Sequence, residues 1–214
     1  MIPVVLWTAA ALAQEAPAED PRFALTVEMG TLSTRGEGYD LFSSSDSMLG
    51  FGLEVGYRPQ AHLELVAGWQ RSSWGSTVEV RGVEDGGYDF QGGNQTLVAA
   101  FESHQMSVGA RVDQDVAGVF WPYLTAQAVV IHGIGRLDDD PSRRTNPNQI
   151  RSAGWGVGAL AMAGAEVRLL RDAGVQVGLH LEMGYGRTTP VQLGGLGRVE
   201  PGGFAMRVGA GFRF

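Results

Sequence analysis

Four histidines are the residues of this chain best suited to move protons or to bind a metal ion: His62, His104, His132 and His180. They are scattered along the sequence without the spacing of a metal-binding or metalloprotease motif. His180 and Glu182 alternate onto one face of a predicted strand and could form an acid–base pair. No serine shares that face, so an acyl-transfer triad lacks its nucleophile. We interpret the histidines as polar fillers rather than as ligands or catalysts.

Two other motifs resemble binding sites but lack the required context. Gly154, Gly156 and Gly158 alternate like a nucleotide-binding loop, yet no helix is predicted after them. The acidic run 138–140 could bind a divalent cation, but it lacks calcium-loop spacing and is followed by Arg143 and Arg144. We expect a solvated loop there, and we predict no cofactor and no metal.

Composition excludes several classes of protein. The chain has 214 residues, no cysteine and 32 glycines, which disfavour a helical bundle. The absence of cysteine excludes disulfides, thiolate metal sites and cysteine nucleophiles. A formal charge of −7 argues against nucleic acid as a partner. The mean hydropathy of −0.03, with no long apolar run, argues against a membrane-spanning helix but not against membrane-spanning strands.

The N-terminal segment is typical of an exported protein. Residues 1–13 are apolar and end in the small-x-small triplet Ala11-Leu12-Ala13, which predicts a cleaved signal peptide. Residues 14–21 are polar and proline-containing, which predicts a flexible segment. A buried N-terminal strand or helix is the alternative.

From residue 22 onward, apolar and polar residues alternate with period two, which predicts strands with unlike faces. In the last segment, for example, Phe204, Met206 and Val208 alternate with Ala205 and Arg207. The fifth segment is the weakest, and there we expect Leu124, Ala126, Ala128 and Val130 to oppose Tyr123, Thr125, Gln127 and Val129. The eight predicted segments are 22–32, 48–58, 62–70, 105–113, 120–133, 154–169, 175–185 and 204–214.

The connections between segments alternate between short and long. Tight turns are predicted at 58–61, 114–118 and 171–174, and long polar loops at 33–47, 74–94, 135–152 and 187–203. Short turns at one end and long loops at the other are typical of outer-membrane barrels. The sequence therefore predicts an all-β domain over 22–214, an eight-stranded antiparallel up-and-down transmembrane β-barrel with four external loops.

Charged side chains recur on one face of the predicted strands. In a membrane barrel this face lines a narrow lumen, where unpaired charges are costly and opposite charges should pair. Counted from the strand ends, Glu28 and Arg207 lie at similar depth on neighbouring strands, and we expect them to pair. The predicted lumenal charge network comprises Glu28, Glu54, Arg58, Glu64, Arg111, Glu166, Arg168, His180, Glu182, Arg207 and Arg213.

Aromatic residues cluster near the ends of the predicted strands, as in the two interfacial girdles of membrane barrels. Those expected at the membrane interfaces are Phe23, Tyr57, Trp69, Trp121, Tyr123, Trp155 and Tyr185.

The final strand GFAMRVGAGFRF, the strand WPYLTAQAVV at 121–130 and the recurrent Gly-x-Gly pairs resemble the small eight-stranded outer-membrane barrels of Gram-negative bacteria, of the OmpA-domain and OmpX kind. The resemblance implies an outer-membrane location, contact with outer-membrane lipid and lipopolysaccharide, and recognition of the C-terminal strand by the barrel assembly machinery. It assigns that assembly signal to Phe204, Phe212 and Phe214.

This architecture is compatible with several functions. We expect a structural or surface-interaction protein that acts through its external loops, and not an enzyme. A small pore or a channel for hydrophobic molecules is the alternative. A lipid-modifying enzyme is third, because some outer-membrane barrels do act on lipid A.

Overall fold

A computed structural model describes residues 22–36, 39–40, 42–43, 47–80, 95–116, 118–138, 149–172 and 175–214. The predicted signal peptide at 1–13 and the segment 14–21 lie outside the described residues. Among the described residues, no helix is long and apolar enough to cross a membrane.

Eight long antiparallel strands form a closed ring, which confirms the predicted barrel. The strands are β1 (Phe23–Arg35), β2 (Ser47–Gln60), β3 (Leu63–Val80), β4 (Gln95–Asp113), β5 (Phe120–Asp138), β6 (Ile150–Asp172), β7 (Val175–Thr188), β8 (Val191–Gln192) and β9 (Arg198–Arg213). Each of the eight long strands pairs with the next long strand along the chain, and β9 pairs with β1 to complete the ring. The two-residue strand β8 lies in the connection between β7 and β9 and pairs with β9.

The strand register determines the width of the barrel. The shear is found by going from each residue to the residue opposite it on the next strand. Starting at Trp155 on β6 and going once round the ring, this path returns to β6 at Ala165, ten residues further along. With eight strands, this shear tilts the strands by about 40° from the barrel axis. Such a barrel is only wide enough for side chains to fill its interior.

The two faces of the strands have opposite character. On β2, Phe51, Leu53 and Val55 are 63%, 46% and 53% exposed, whereas Glu54 between them is 2% exposed. The same alternation runs along β1 and much of β5. An outer face of exposed Leu, Val and Phe on a closed ring is a lipid-facing surface, because ring closure satisfies every backbone group without water.

The hairpins are longer than the sequence predicted. β3 and β4 remain paired up to Val80 and Gln95, so β3 extends into the loop predicted at 74–94. β5 and β6 remain paired up to Leu137 and Ile150, both inside the loop predicted at 135–152. Backbone pairing continues because an antiparallel hairpin needs no lipid to satisfy its own hydrogen bonds. At the other end, the turn predicted at 58–61 contracts to residues 61–62, because β2 runs to Gln60.

Candidate functional site: the filled lumen and the loop end

The predicted lumenal charge network lies inside the ring, with all eleven side chains directed inward. Each of these residues is 1–7% exposed. Arg111 lies near the centre: its Nη2 is 2.7 Å from Glu54 Oε1 and its Nη1 is 3.7 Å from Glu64 Oε2. Glu54 also accepts a 3.0 Å hydrogen bond from Gln127. Neighbouring strands therefore converge on one guanidinium group.

Arg213, next to the C-terminus, joins two carboxylates from opposite parts of the sequence. Its Nη2 lies 2.7 Å from Glu166 Oε2 and 3.2 Å from Glu64 Oε2. Arg168 Nε also lies 3.3 Å from Glu166 Oε1. Charge-assisted hydrogen bonds of this length are stronger than neutral ones and need both partners, because a lone buried charge is costly.

Glu28 and Arg207 are brought together, as the sequence predicted. Arg207 Nη1 lies 3.6 Å from Glu28 Oε1 and 3.4 Å from Glu182 Oε1. The same nitrogen donates a 3.4 Å hydrogen bond to Gln127. The shortest contact of Arg207 is longer than the 2.7 Å contacts that Arg111 makes with Glu54 and Arg213 makes with Glu166, so Arg207 is shared among three acceptors rather than held closely by one.

Trp121 and Tyr123 were predicted at the membrane interface, and that prediction is wrong. They are 4% and 5% exposed and point into the lumen. The Arg168 guanidinium lies 3.3 Å from the centroid of the Trp121 ring, and that of Arg111 lies 4.5 Å from the Tyr123 centroid. The physical reason is strand parity: both aromatics share the face of Thr125, opposite the exposed Leu124.

Arg58 completes the turn end of the lumen. It forms a hydrogen-bonded ion pair with Asp113, which sequence analysis did not single out, and its Nη2 lies 3.8 Å from Glu64 Oε2. Its guanidinium also lies 5.4 Å from the centroid of the Trp121 ring, on which Arg168 stacks. Parity alone would have placed Asp113 in the lumen, two residues beyond Arg111.

His180 is buried in the lumen, on the same face as Glu182. It is 7% exposed, and its Nε2 has no hydrogen-bond partner among the described residues. Glu182 lies further along the same face and contacts arginines instead. Within the described ranges, no three His, Cys, Asp or Glu residues are grouped as a metal site would require.

The other histidines make local contacts. The ring of His104 stacks on Trp69 with centroids 5.9 Å apart, and the ring of His132 stacks on Trp155 at 4.4 Å. His62 Nδ1 lies 3.8 Å from Asp113 Oδ1 at the turn end. In the acidic run, Asp138 accepts a 3.0 Å hydrogen bond from Gln149, and residues 139–140 lie outside the described residues.

The loop end of the lumen is filled by apolar side chains, which sequence analysis missed. Phe42, Phe101, Val191, Leu193 and Val199 are all 0% exposed. We call the whole group the mouth cluster. Its members are Tyr39, Phe42, Met48, Ala99, Phe101, Ile131, Val191, Leu193, Leu196 and Val199.

The mouth cluster rests on glycines of β5 and β6. A Cβ atom added to Gly154 would lie 2.2 Å from the carbonyl oxygen of Gln192, and one added to Gly135 would lie 3.0 Å from the Phe42 ring. The Gly-x-Gly pattern therefore makes room for the inward-folded connection after β7. The signal that could have revealed it is the apolar spacing of Val191, Leu193 and Leu196 within a segment predicted as a polar loop.

The remaining predicted interfacial aromatics face outward. Phe23, Tyr57, Trp69, Trp155 and Tyr185 are 51%, 41%, 41%, 59% and 67% exposed. The residues assigned to the assembly signal, Phe204, Phe212 and Phe214, are also on the outer face, at 53%, 42% and 58% exposure.

No protein-family model and no curated protein sequence matches this chain. Among solved structures, it is similar to Ail, the attachment invasion locus protein of Yersinia pestis, in complex with the heparin analogue sucrose octasulfate. The TM-score is 0.50 at 12% identity, over 91% of this chain and 99% of Ail.

Two further solved structures are similar. Neisserial surface protein A gives a TM-score of 0.48 at 15% identity, over 89% of this chain and 95% of that one. OprG from Pseudomonas aeruginosa gives 0.46 at 10% identity, over 92% and 97%. Together with the closed ring and its lipid-facing surface, the likeness to Ail gives the fold: the chain is a small eight-stranded outer-membrane β-barrel.

Proposed function

We propose that this barrel is a closed membrane anchor that acts as a structural and surface-interaction protein through its loop end. The observation that carries the proposal is that the lumen is filled by two chemically different layers. The charge network fills the half near the turns, and the mouth cluster fills the half near the loops.

The two layers oppose transport for different physical reasons. In the charge network, five glutamates and Asp113 face five arginines, so a passing ion would have to displace partners that are already paired. In the mouth cluster, apolar side chains exclude water. A pathway for water or ions would require both layers to rearrange.

The partner-binding part of the molecule is then the loop end, which projects beyond the apolar belt. The β3–β4 and β5–β6 hairpins are built from the four longest strands and lead to the connections at 81–94 and 139–148, which lie outside the described residues. In the orientation of outer-membrane barrels, short turns face the periplasm and long connections face outward. We propose that the partner is met at this outer surface.

Reconstitution of the purified mature protein in planar bilayers tests this function. We expect the bilayer to stay at its baseline conductance after insertion, because neither layer leaves a continuous water path. Insertion is verified separately by protection of the strands from added protease. Steady channel openings at the frequency of insertion would refute the closed anchor and favour the small-pore alternative.

Export and assembly are part of the same proposal. Residues 1–13 would direct export, and the aromatic outer face of β9, with Phe204, Phe212 and Phe214, would be recognised by the barrel assembly machinery. Lipid and lipopolysaccharide would contact the outer belt. The exposure of these three rings on the strand that closes the barrel supports this assignment.

A lipid-modifying activity is disfavoured by where the acid–base candidates lie. His180 and Glu182 point into the lumen, at 7% and 1% exposure, and lipid reaches only the outer face. We therefore propose a non-enzymatic protein.

A further inference from the structure

The buried charges of the lumen form two groups that differ in charge balance. The turn-end group has three arginines and three carboxylates, which are linked by ion pairs. Its members are Arg58, Arg168, Arg213, Glu64, Asp113 and Glu166. The central group has two arginines for three carboxylates. Its members are Arg111, Arg207, Glu28, Glu54 and Glu182. Among the described residues, the fully ionised central group therefore has one negative charge in excess.

Two of the three central carboxylates occupy the two arginines. Glu54 lies 2.7 Å from Arg111 and accepts a 3.0 Å hydrogen bond from Gln127. Glu182 lies between the two guanidinium groups, 3.4 Å from Arg207 and 3.7 Å from Arg111. The positive charge of the central group is therefore already balanced by these two carboxylates.

Glu28 is the carboxylate that remains. Its one ion pair among the described residues is with Arg207 Nη1 at 3.6 Å, which is beyond hydrogen-bond distance. The same nitrogen also contacts Glu182 and Gln127. Glu28 Oε1 faces Gly52 of β2, where an added Cβ would lie 3.2 Å away, and glycine has no side chain that could donate a hydrogen bond.

The other titratable side chains near the centre do not supply the missing positive charge. Within the described part of the chain, the histidines that form ion pairs are His62 and His104, not His180. The His180 ring lies against Gly209, where an added Cβ would be 2.5 Å from Cε1, and its Nε2 has no hydrogen-bond partner among the described residues. Tyr123 carries no positive charge in either of its protonation states.

A carboxylate that is buried without a counter-charge is costly, and a carboxyl group avoids that cost by keeping its proton. Glu28 is 5% exposed, so water does not compensate its charge. We propose that Glu28 is a proton-binding site at the centre of the lumen, which the barrel keeps occupied near neutral pH. The bound proton balances the central group. Its loss at higher pH leaves Glu28, Glu54 and Glu182 with two arginines between them, so the central packing loosens.

Proton uptake on folding gives the stability of the barrel a pH dependence of known sign. In the unfolded chain, Glu28 is exposed to water and is ionised at neutral pH. The folded barrel then binds one proton more than the unfolded chain, so the barrel gains stability as the pH falls and loses it as the pH rises. One proton changes the unfolding equilibrium constant by at most about tenfold per pH unit.

The test is urea unfolding of the refolded full chain in lipid vesicles at pH 6 and pH 8. The test variant is Glu28→Gln, which keeps the size of the side chain and removes its charge and its titration. Glu166→Gln is the matched control, because Glu166 belongs to the balanced turn-end group and lies 2.7 Å from Arg213. His180→Gln tests whether the histidine binds the proton instead.

The comparison with Glu28→Gln isolates one proton, because the other titratable groups are common to both chains. Between pH 8 and pH 6, we expect the unfolding equilibrium constant of wild type to fall about tenfold relative to that of Glu28→Gln. At pH 8, Glu28→Gln should be at least as stable as wild type. Glu166→Gln should be less stable than wild type at both pH values, because it leaves the turn-end group with one arginine in excess. It should keep the wild-type pH dependence, as should His180→Gln.

Infrared spectroscopy detects the proton directly. At neutral pH, the folded wild type should show the carbonyl band of a protonated carboxyl group, and Glu28→Gln should lack this band. The site would be overturned by a band that persists in Glu28→Gln, by equal pH dependence of the two chains, or by a Glu28→Gln barrel that is less stable than wild type at pH 8. Loss of the pH dependence in His180→Gln would also overturn it, since the proton would then lie on the histidine.

Discussion

At the scale of single residues, stability inside the lumen depends on arginines that each join more than one strand. Arg213 contacts Glu166 at 2.7 Å and Glu64 at 3.2 Å, while Arg207 reaches its carboxylates only at 3.4 Å and 3.6 Å. Breaking a buried ion pair by removing one partner costs about 3–5 kcal/mol, because the remaining charge is left unpaired. We therefore expect the ion pairs of Arg213 to contribute more to the stability of the barrel than those of Arg207.

Double-mutant cycles should reproduce this ranking. We expect a coupling free energy of about 2–3 kcal/mol for Arg213 with Glu166, and a smaller one, about 1 kcal/mol, for Arg207 with Glu28. Urea unfolding of the refolded barrel in lipid vesicles measures both. The exposed pair Arg198–Glu200, at 3.2 Å, is the control and should couple by less than about 1 kcal/mol. Equal coupling in all three pairs would contradict the ranking.

Trp121 provides a second prediction at the same scale. Because its ring lies in the lumen against Arg168, lipid should not reach it, whereas Trp69 is 41% exposed on the outer belt. In variants that keep one tryptophan each, brominated lipids should quench Trp69 fluorescence strongly and leave Trp121 nearly unchanged. Strong quenching of Trp121 would restore the interfacial assignment.

At the scale of secondary-structure elements, two features determine the barrel: the pairing of β1 with β9 and the inward fold of the connection that contains β8. The pairing of β1 with β9 removes both edges of the sheet. Beside the end of this pairing, the backbone N–H of Phe23 donates to the carbonyl oxygen of Phe214, and the N–H of Phe214 donates to that of Phe23, both at 3.0 Å.

Removal of the end of β9 should prevent membrane insertion. Deletion of residues 211–214 leaves backbone groups of β1 and β7 without partners in lipid, at a cost of several kcal/mol each, and also removes Arg213. The measurement is the heat-dependent gel shift after refolding into vesicles. The substitution Arg213→Ala in the full-length chain separates the two effects, since it should weaken the barrel without abolishing insertion. Normal insertion of the truncated chain would contradict the closing role of β9.

The inward connection can be displaced without breaking the barrel. Gly154→Val places a side chain against the Gln192 carbonyl oxygen, so the segment around β8 should detach and become sensitive to added protease. Gly195→Val is the control, because a Cβ at Gly195 meets nothing within 4 Å. Both variants should keep the heat-dependent gel shift. Equal protease resistance of the segment in the two variants would contradict the packing of the connection on β6.

At the scale of the whole molecule, the lumen is filled by two layers that different interactions hold in place. Backbone contacts and apolar packing hold the mouth cluster, and ion pairs hold the charge network. The layers lie at different heights along the axis because Met48 and Phe101 are nearer the loop ends of β2 and β4 than Glu54 and Arg111.

Opening one layer alone should therefore not produce a pore. We expect baseline conductance from a chain in which residues 190–197 are replaced by a short Gly-Ser connection, and also from Arg111→Ala. Only the combination should raise the conductance, because it removes apolar packing from one layer and the central cation from the other. Planar-bilayer recording of the three variants measures this. Conductance from the loop replacement alone would show that water and ions pass through the charge network.

The sequence by itself determined which face of each strand meets lipid and which meets the lumen. Period two is a local property, so the positions of Glu28, Glu54, Arg111 and Arg207 followed from counting residues. Trp121 and Tyr123 were assigned to the membrane interface because they are aromatic, although strand parity places them on the lumenal face. That prediction was wrong.

Only the tertiary structure decided which lumenal charges meet and what fills the loop end. Arg213 and Glu64 are 149 residues apart, and their contact depends on the shear that carries one strand past the next around the ring. The same holds for Leu193, whose segment has the composition of a loop but packs into the barrel mouth because glycines of β5 and β6 leave space there. The Arg213–Glu64 contact and the packing of Leu193 both depend on closure of the ring. Closure involves all the long strands, so it cannot be read from any single segment of the sequence.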